Sequence, residues 1–147
     1  MRYIVDGETL VQRSDKRGII SNASGASAEV HIRDTIVYDN AGWRTTSPPI
    51  AGVGVDKDAV ADLGTHATND PGNNKICCNR NGQDTQDRDF HNKSETTINA
   101  IGNYWCGSAD VKNEPTGVSV TDVSGALASD PHPHVSNTCT IPRPQTY

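Results

Sequence analysis

The chain has 147 residues and a formal net charge of −5, the length of one domain and an unremarkable acidic balance. Leu, Ile, Val and Phe total only 26 residues, and Ile plus Val supply 22 of them. That β-branched supply excludes a helical bundle or a coiled coil, because a branched Cβ packs well on a pleated sheet and loses rotamer freedom in a helix.

In chain order, apolar residues arrive in short alternating bursts, the period of strands rather than helices. The clearest are Val30-His31-Ile32, Ile36-Val37-Tyr38, Val53-Gly54-Val55, Ile76 with Cys78, and Ile98 with Ala100. Turn chemistry follows them at Asp39-Asn40-Ala41-Gly42, Asn69-Asp70-Pro71-Gly72, Asn79-Arg80-Asn81-Gly82 and Gly102-Asn103. Ala59 to Leu63 fits one helical turn or a strand equally well. Leu10, Ile32, Ile76, Ile98 and Val120 share a register of 22 residues, with Gly54 in the missing place; Tyr38, Val60 and Tyr104 share a second. A fixed period of this size points to a solenoid, in which each coil buries its apolar face only against its neighbours. An antiparallel sandwich is the structural rival, but it calls for strands every 8 to 12 residues with two-residue hairpin signals between them. Asn40, Asn73, Asn74, Asn79, Asn92, Asn99 and Asn103 fall at or beside the proposed corners. Asn tolerates left-handed backbone and can ladder with an Asn one coil above, although most are expected to be solvated turn residues.

Cysteines at 77, 78, 106 and 139 form an even set in a turn-rich chain, which suggests disulfides and an oxidising compartment. Three pairings are open, and Cys106 is expected to bridge Cys77, Cys78 or Cys139. If their segment is a strand, Cys77 and Cys78 face opposite ways. The spacing is wrong for zinc. Met1 to Gln12 does not read as a secretory leader. The conflict with the cysteines is resolved if the chain was cut from a longer precursor or lacks its leader.

From about residue 30 to 133 the sequence resembles the last coils of bacterial right-handed parallel β-helix proteins. The resemblance rests on residues 30–40, Ala61-Asp62-Leu63-Gly64, Pro71-Gly72-Asn73-Asn74-Lys75-Ile76 and Thr97-Ile98-Asn99-Ala100-Ile101-Gly102-Asn103-Tyr104-Trp105. Val123-Ser124-Gly125-Ala126-Leu127 and Asp130-Pro131 look like the tail that closes such helices. Cys106 departs from the pattern, since the family usually has Gly directly after this Trp. The resemblance implies an all-β, short, right-handed parallel β-helix of about five coils with an irregular C-terminal tail. Residues 1–133 form the helix domain on this reading, and 134–147 a Pro-rich tail. Secretion or cell-surface display is implied as well. The family includes polysaccharide lyases, hydrolases, epimerases and non-catalytic surface proteins, so membership does not name a function.

The leading functional expectation is a non-catalytic extracellular module that presents a surface for glycan binding, adhesion or structure. The rival is a carbohydrate-active enzyme or a remnant of one. Trp43, Tyr104 and Trp105 are the candidates for stacking on sugar rings. Asp84, Asp87 and Asp89 are the acidic cluster that a calcium site or an acid–base pair would use, with solvated loop carboxylates as the plainer reading. Asp56 and Asp58 share a strand face but lack further oxygens for calcium. His132-Pro133-His134 lacks a nearby third metal ligand. No metal, cofactor or catalytic residue is assigned. A nucleic-acid partner is not expected, because Lys and Arg are scattered singly and form no basic stripe. Membrane insertion is not expected either, because no apolar run approaches ~20 residues. A polysaccharide or cell-surface glycan is the expected partner. A homodimer through the N-terminal end of the solenoid is expected too, because Tyr3-Ile4-Val5 and Leu10-Val11 are apolar and no helix caps them.

Overall fold

The computed structural model describes residues 2–12, 18–22, 28–38, 40, 51–79, 88–107, 109–114, 117 and 120–135. Twelve strands and no helix occur among them. The strands are β1 (Arg2–Val5), β2 (Leu10–Gln12), β3 (Ile19–Ser21), β4 (Ala28–Ile32), β5 (Ile36–Tyr38) and β6 (Ala51–Val55). They continue with β7 (Ala59–Asp62), β8 (Lys75–Cys77), β9 (Arg88–Asn92), β10 (Thr97–Asn99), β11 (Val111–Asn113) and β12 (Val120–Asp122).

The chain visits three sheets in rotation. Sheet A runs β1-β4-β7-β10-β12, sheet B β2-β5-β8 and sheet C β3-β6-β9-β11. Every strand pairing is parallel. After β10 the sheet B position is taken by a parallel bridge between Lys75 and Tyr104. The result is a parallel β-helix whose sheet A counts five levels. The Ile32 and Ile98 segments lie in one parallel sheet, as the solenoid reading requires. Ala59 to Leu63 begins as a strand, and its Ala59, Ala61 and Leu63 face inward by strand alternation.

Inward side chains from all three sheets meet in one core. Val30, Ile32, Ala61 and Ile98 come from sheet A, Val37 and Ile76 from sheet B, and Val53, Val55 and Phe90 from sheet C. The constant 22-residue register does not survive. Successive levels pair Tyr3 with Val30, Val30 with Ala61, Asp62 with Asn99, and Ile98 with Thr121. These offsets are unequal because the corners hold loops of different length. Ile32 and Ile98 do point inward from sheet A, but Ile76 belongs to sheet B and Gly54 to sheet C. Leu10 and Val120 face outward and are about half exposed. The second register fails likewise, since Val60 lies in sheet A while Tyr38 and Tyr104 lie on sheet B.

Two corners are held by asparagine ladders. Between sheets A and B, Asn74 Nδ2 donates to Ile32 O (2.9 Å) and to Asn103 Oδ1 (2.8 Å), while its own Oδ1 accepts from Thr35 N (2.9 Å). Asn103 Nδ2 continues the ladder to Leu63 O (2.8 Å). Between sheets B and C, Asn40 donates to Val11 O and Asn79 to Val37 O, both at 2.8 Å. Asn79 also donates to Asp89 Oδ1 (2.9 Å from its backbone N). Asn40, Asn74, Asn79, Asn92 and Asn103 are fully buried, so for these five the ladder-like, satisfied role replaces the solvated one expected for most. Gly72 lies so close to Leu63 O and Asn103 Oδ1 that a Cβ there would overlap both.

Candidate functional site

Sheet A carries its polar residues on the outer face because strand alternation turns every second side chain away from the core. Register aligns Ile4, His31, Asp62 and Asn99 in one outward row, which Asp122 extends on β12. Arg2, Glu29 and Val60 form the row beside it. His31 stands between two carboxylates, with Nε2 2.8 Å from Glu29 Oε1 and Nδ1 3.0 Å from Asp62 Oδ2. Arg2 Nη2 approaches the same Nδ1 at 3.3 Å.

Arg33, one residue beyond β4, locks this face to the 64–70 turn. Its Nε and Nη2 donate to the two oxygens of Asp70 at 2.9 Å each, and Nη2 also donates to Asp62 Oδ1 (2.8 Å). Nη1 donates to the carbonyls of Ile32 (3.0 Å) and Asp62 (2.8 Å). All five guanidinium N–H groups are thereby engaged, which makes Arg33 a clasp between coils rather than a ligand-binding group. Hydrogen bonds from Arg33 and then from the Thr65 hydroxyl hold the Asp70 carboxyl well below the usual carboxylate range. Asp70 is therefore ionised at every ordinary pH, the opposite of what a general acid needs.

On sheet C, the buried His91 donates Nε2–H to Glu114 Oε2 (2.9 Å), and its Nδ1 meets no hydrogen-bond partner among the described residues. Burial pushes the imidazole's pKa down, against the pull of Glu114. Glu114 is itself held low, first by Lys112 and then by His91. The pair is a neutral imidazole beside an ionised carboxylate.

On the outer face of sheet B, Leu10 on β2 is half exposed, and an apolar patch on β5 and β8 is covered. Ile36, Tyr38, Cys77 and Cys78 form a second small core there, with Tyr104, Cys106 and Val135 packed against it. Cys77 and Cys106 are joined by a disulfide, one of the pairings left open by the sequence. Cys78 is disulfide-bonded too, and no described cysteine is free; Cys139 lies outside the described residues. Both Cys77 and Cys78 are buried, because Cys78 leaves the strand with φ 61° and turns back toward the same cluster.

The other predicted residues are placed as follows. Trp105 is 3 % exposed within the main core, so its ring is not available to an external sugar. Tyr104 is half-buried against the disulfide cluster. Trp43, Asp84 and Asp87 lie outside the described residues. Asp89 is buried and ends the second asparagine ladder. Asp56 and Asp58 occupy the tight turn between β6 and β7, where Ala59 N donates back to Asp56 O (3.1 Å). His132 is buried, with Nε2 2.9 Å from Asn73 O. Sequence reasoning passed over Arg33, Asp62, Asp70, Lys75 and Asp130 as a site. Single charged residues scattered over a hundred positions carry no spacing signal; the pairing of coils brings Arg33 to Asp62 and Asp70, and the segment after β12 brings Asp130 to Lys75.

The sheets, the corner ladders and the outward polar face define a parallel β-helix module. Residues 2–110 match the family described as "Protein of unknown function (DUF1565)", and the chain belongs to that family. No curated protein and no solved structure matches it.

Proposed function

We propose that this chain is a non-catalytic, extracellular β-helix module whose outward sheet A face binds an extended glycan. The observation that carries the reading is the polar row His31, Asp62, Asn99 and Asp122, set in register along the helix axis. Neighbouring strands lie about 4.8 Å apart, so such a row runs at an even spacing beneath a linear polymer of hydroxylated rings, with the mutually paired His31 and Asp62 as its fixed centre and Asn99 and Asp122 to hydrogen-bond the rings. Thr97, exposed on β10 beside Asn99, adds a hydroxyl to the same face. A disulfide within the fold agrees with an oxidising, extracellular setting.

The absence of catalysis in this reading rests on the state of the carboxylates. Asp62 is engaged by His31, Arg33 and the Gly64 amide, and Asp70 is held ionised by Arg33. A glycosidase pair needs one carboxyl raised in pKa and both facing the scissile bond.

A glycan array run with the parent protein and with Asn99→Ala and Thr97→Ala tests the reading. Binding of at least one linear glycan, weakened about tenfold by the two substitutions (one hydrogen bond to a ligand each), is expected. No glycan bound at all overturns it. Release of reducing ends or unsaturated products from the same polysaccharides turns the reading to the enzyme class.

A further inference from the structure

Lys75 lies on the outer face of sheet B, where strand alternation sends a side chain to solvent, yet it is fully buried. What buries it is the chain's own segment after β12. Lys75 Nζ donates to Asp130 Oδ2 (2.7 Å), to His132 O (3.4 Å) and to Val135 O. Three acceptors from one six-residue stretch, 130–135, surround the ammonium, and Asp130 is itself almost buried. Such a charge is tolerated only while it is paired, and removing its partner leaves it stranded.

The same segment crosses several coils. Leu127 N donates to Asn103 O (2.9 Å) at the C-terminal side. His132 then reaches the corner between sheets A and B, where Glu8, Asp34, Asn73 and Gly102 repeat a left-handed backbone on successive coils. There its Nε2 meets Asn73 O at 2.9 Å and lies 3.4 Å from Asp34 Oδ1, while Nδ1 faces Glu8 Oε1 at 4.0 Å. Val135 closes over the disulfide cluster. None of residues 126–135 is in a strand. The segment is attached mainly through side chains at a few points, whereas β5 and β8 beneath it are each paired in parallel on both sides.

We propose that residues 126–135 are an autonomous strap, latched by Lys75 and Asp130, that opens from sheet B while the coils stay closed. Opening uncovers the apolar strip of Ile36, Tyr38 and Tyr104. Segments with few backbone bonds to their surroundings open at lower free energy than the strands they cover, which gives the strap its independence.

Hydrogen exchange read by mass spectrometry, with disulfides intact, tests this in the parent, Asp130→Ala and Asp130→Asn. Asn retains an oxygen for the His132 amide, which donates to Asp130 Oδ1 in the parent (2.8 Å). In Asp130→Ala the amides of residues 127–135 are expected to exchange at least ~10-fold faster, and a hydrophobic dye to bind. Asp130→Asn falls between, and the amides of β4 and β7 are unchanged in both. If β5 and β8 accelerate by the same factor as the strap, the two form one cooperative unit and the proposal is overturned. Unchanged exchange at 127–135 in both variants overturns the latch.

Discussion

At the scale of single residues, buried polar groups decide the corners. Asn74 satisfies Ile32 O and the Thr35 amide, two backbone groups that the turn between β4 and β5 removes from water. Asn74→Ala orphans the Thr35 amide, at about 1–3 kcal/mol for a buried group, and leaves Ile32 O with Arg33 Nη1 as its donor. A fall in the denaturant midpoint with an unchanged m-value would show it; a midpoint within error of the parent would refute the ladder's role. His91, Asp70 and Glu114 all titrate below their ordinary values in the folded chain. Each therefore binds fewer protons folded than unfolded, so each contributes stability at high pH that is lost on acidification. The His91 contribution begins to fall below its unfolded value of about 6.5, and the carboxylate contributions below about 4. Urea midpoints measured from pH 8 to pH 3 should decline in those two windows. His91→Gln should flatten the upper window alone, and a decline there that persists in this variant would assign it elsewhere.

At the scale of elements, position in a sheet outranks position in the sequence pattern. Leu10 and Ile76 share the 22-residue register, yet Ile76 lies in the core and Leu10 on an exposed outer face. Ile76→Ala is expected to cost about 2–5 kcal/mol, as core deletions do, and Leu10→Ala under about 0.5 kcal/mol, as surface changes do. Equal losses, measured by chemical denaturation, would contradict the sheet assignment. The Cys77–Cys106 disulfide ties β8 to the next level across a separation of 29 residues. Closing a loop of that length stabilises by about 3–4 kcal/mol in the chain-entropy account. Cys106→Ser should lower the midpoint accordingly, and an unchanged midpoint would show that the corner ladders alone hold the two levels. The bursts at Val30, Ile36, Val53, Ile76 and Ile98 all became strands, because alternation of β-branched residues is a local signal. β9, with Asp89, His91 and Asn92 around its one Phe, and β11 did not announce themselves. Their strand state comes from the edges already laid down by β6 and β9.

At the scale of the whole molecule, the two ends differ. The strap and the turn after β12 bond to the last coil, through Leu127 N to Asn103 O and Gly102 N to Ser124 O. Among the described residues β1, β2 and β3 are the end strands of their sheets, and Ile4, Leu10 and Ile20 on them are about half or more exposed. Open strand edges beside apolar side chains are a template for pairing, and two like ends meet across a two-fold axis. Light scattering of this chain at micromolar concentration should report a dimer that Ile4→Lys with Leu10→Lys dissociates. A single-chain mass that does not change on concentration overturns that expectation. The sequence by itself determined that the fold is β, built from short strands with Asn and Gly at its corners, because those preferences act within a few residues. It suggested disulfides among the four cysteines but left all three pairings open, and the fold brings Cys77 to Cys106. The tertiary structure alone decided which strand lies on which sheet, since loops of unequal length erase any fixed period. It alone brought Arg33 to Asp62 and Asp70, and Lys75 to Asp130 across 55 residues. The first set forms when coils stack and the second when the segment after β12 folds back over sheet B, and no local pattern in the chain encodes either distance.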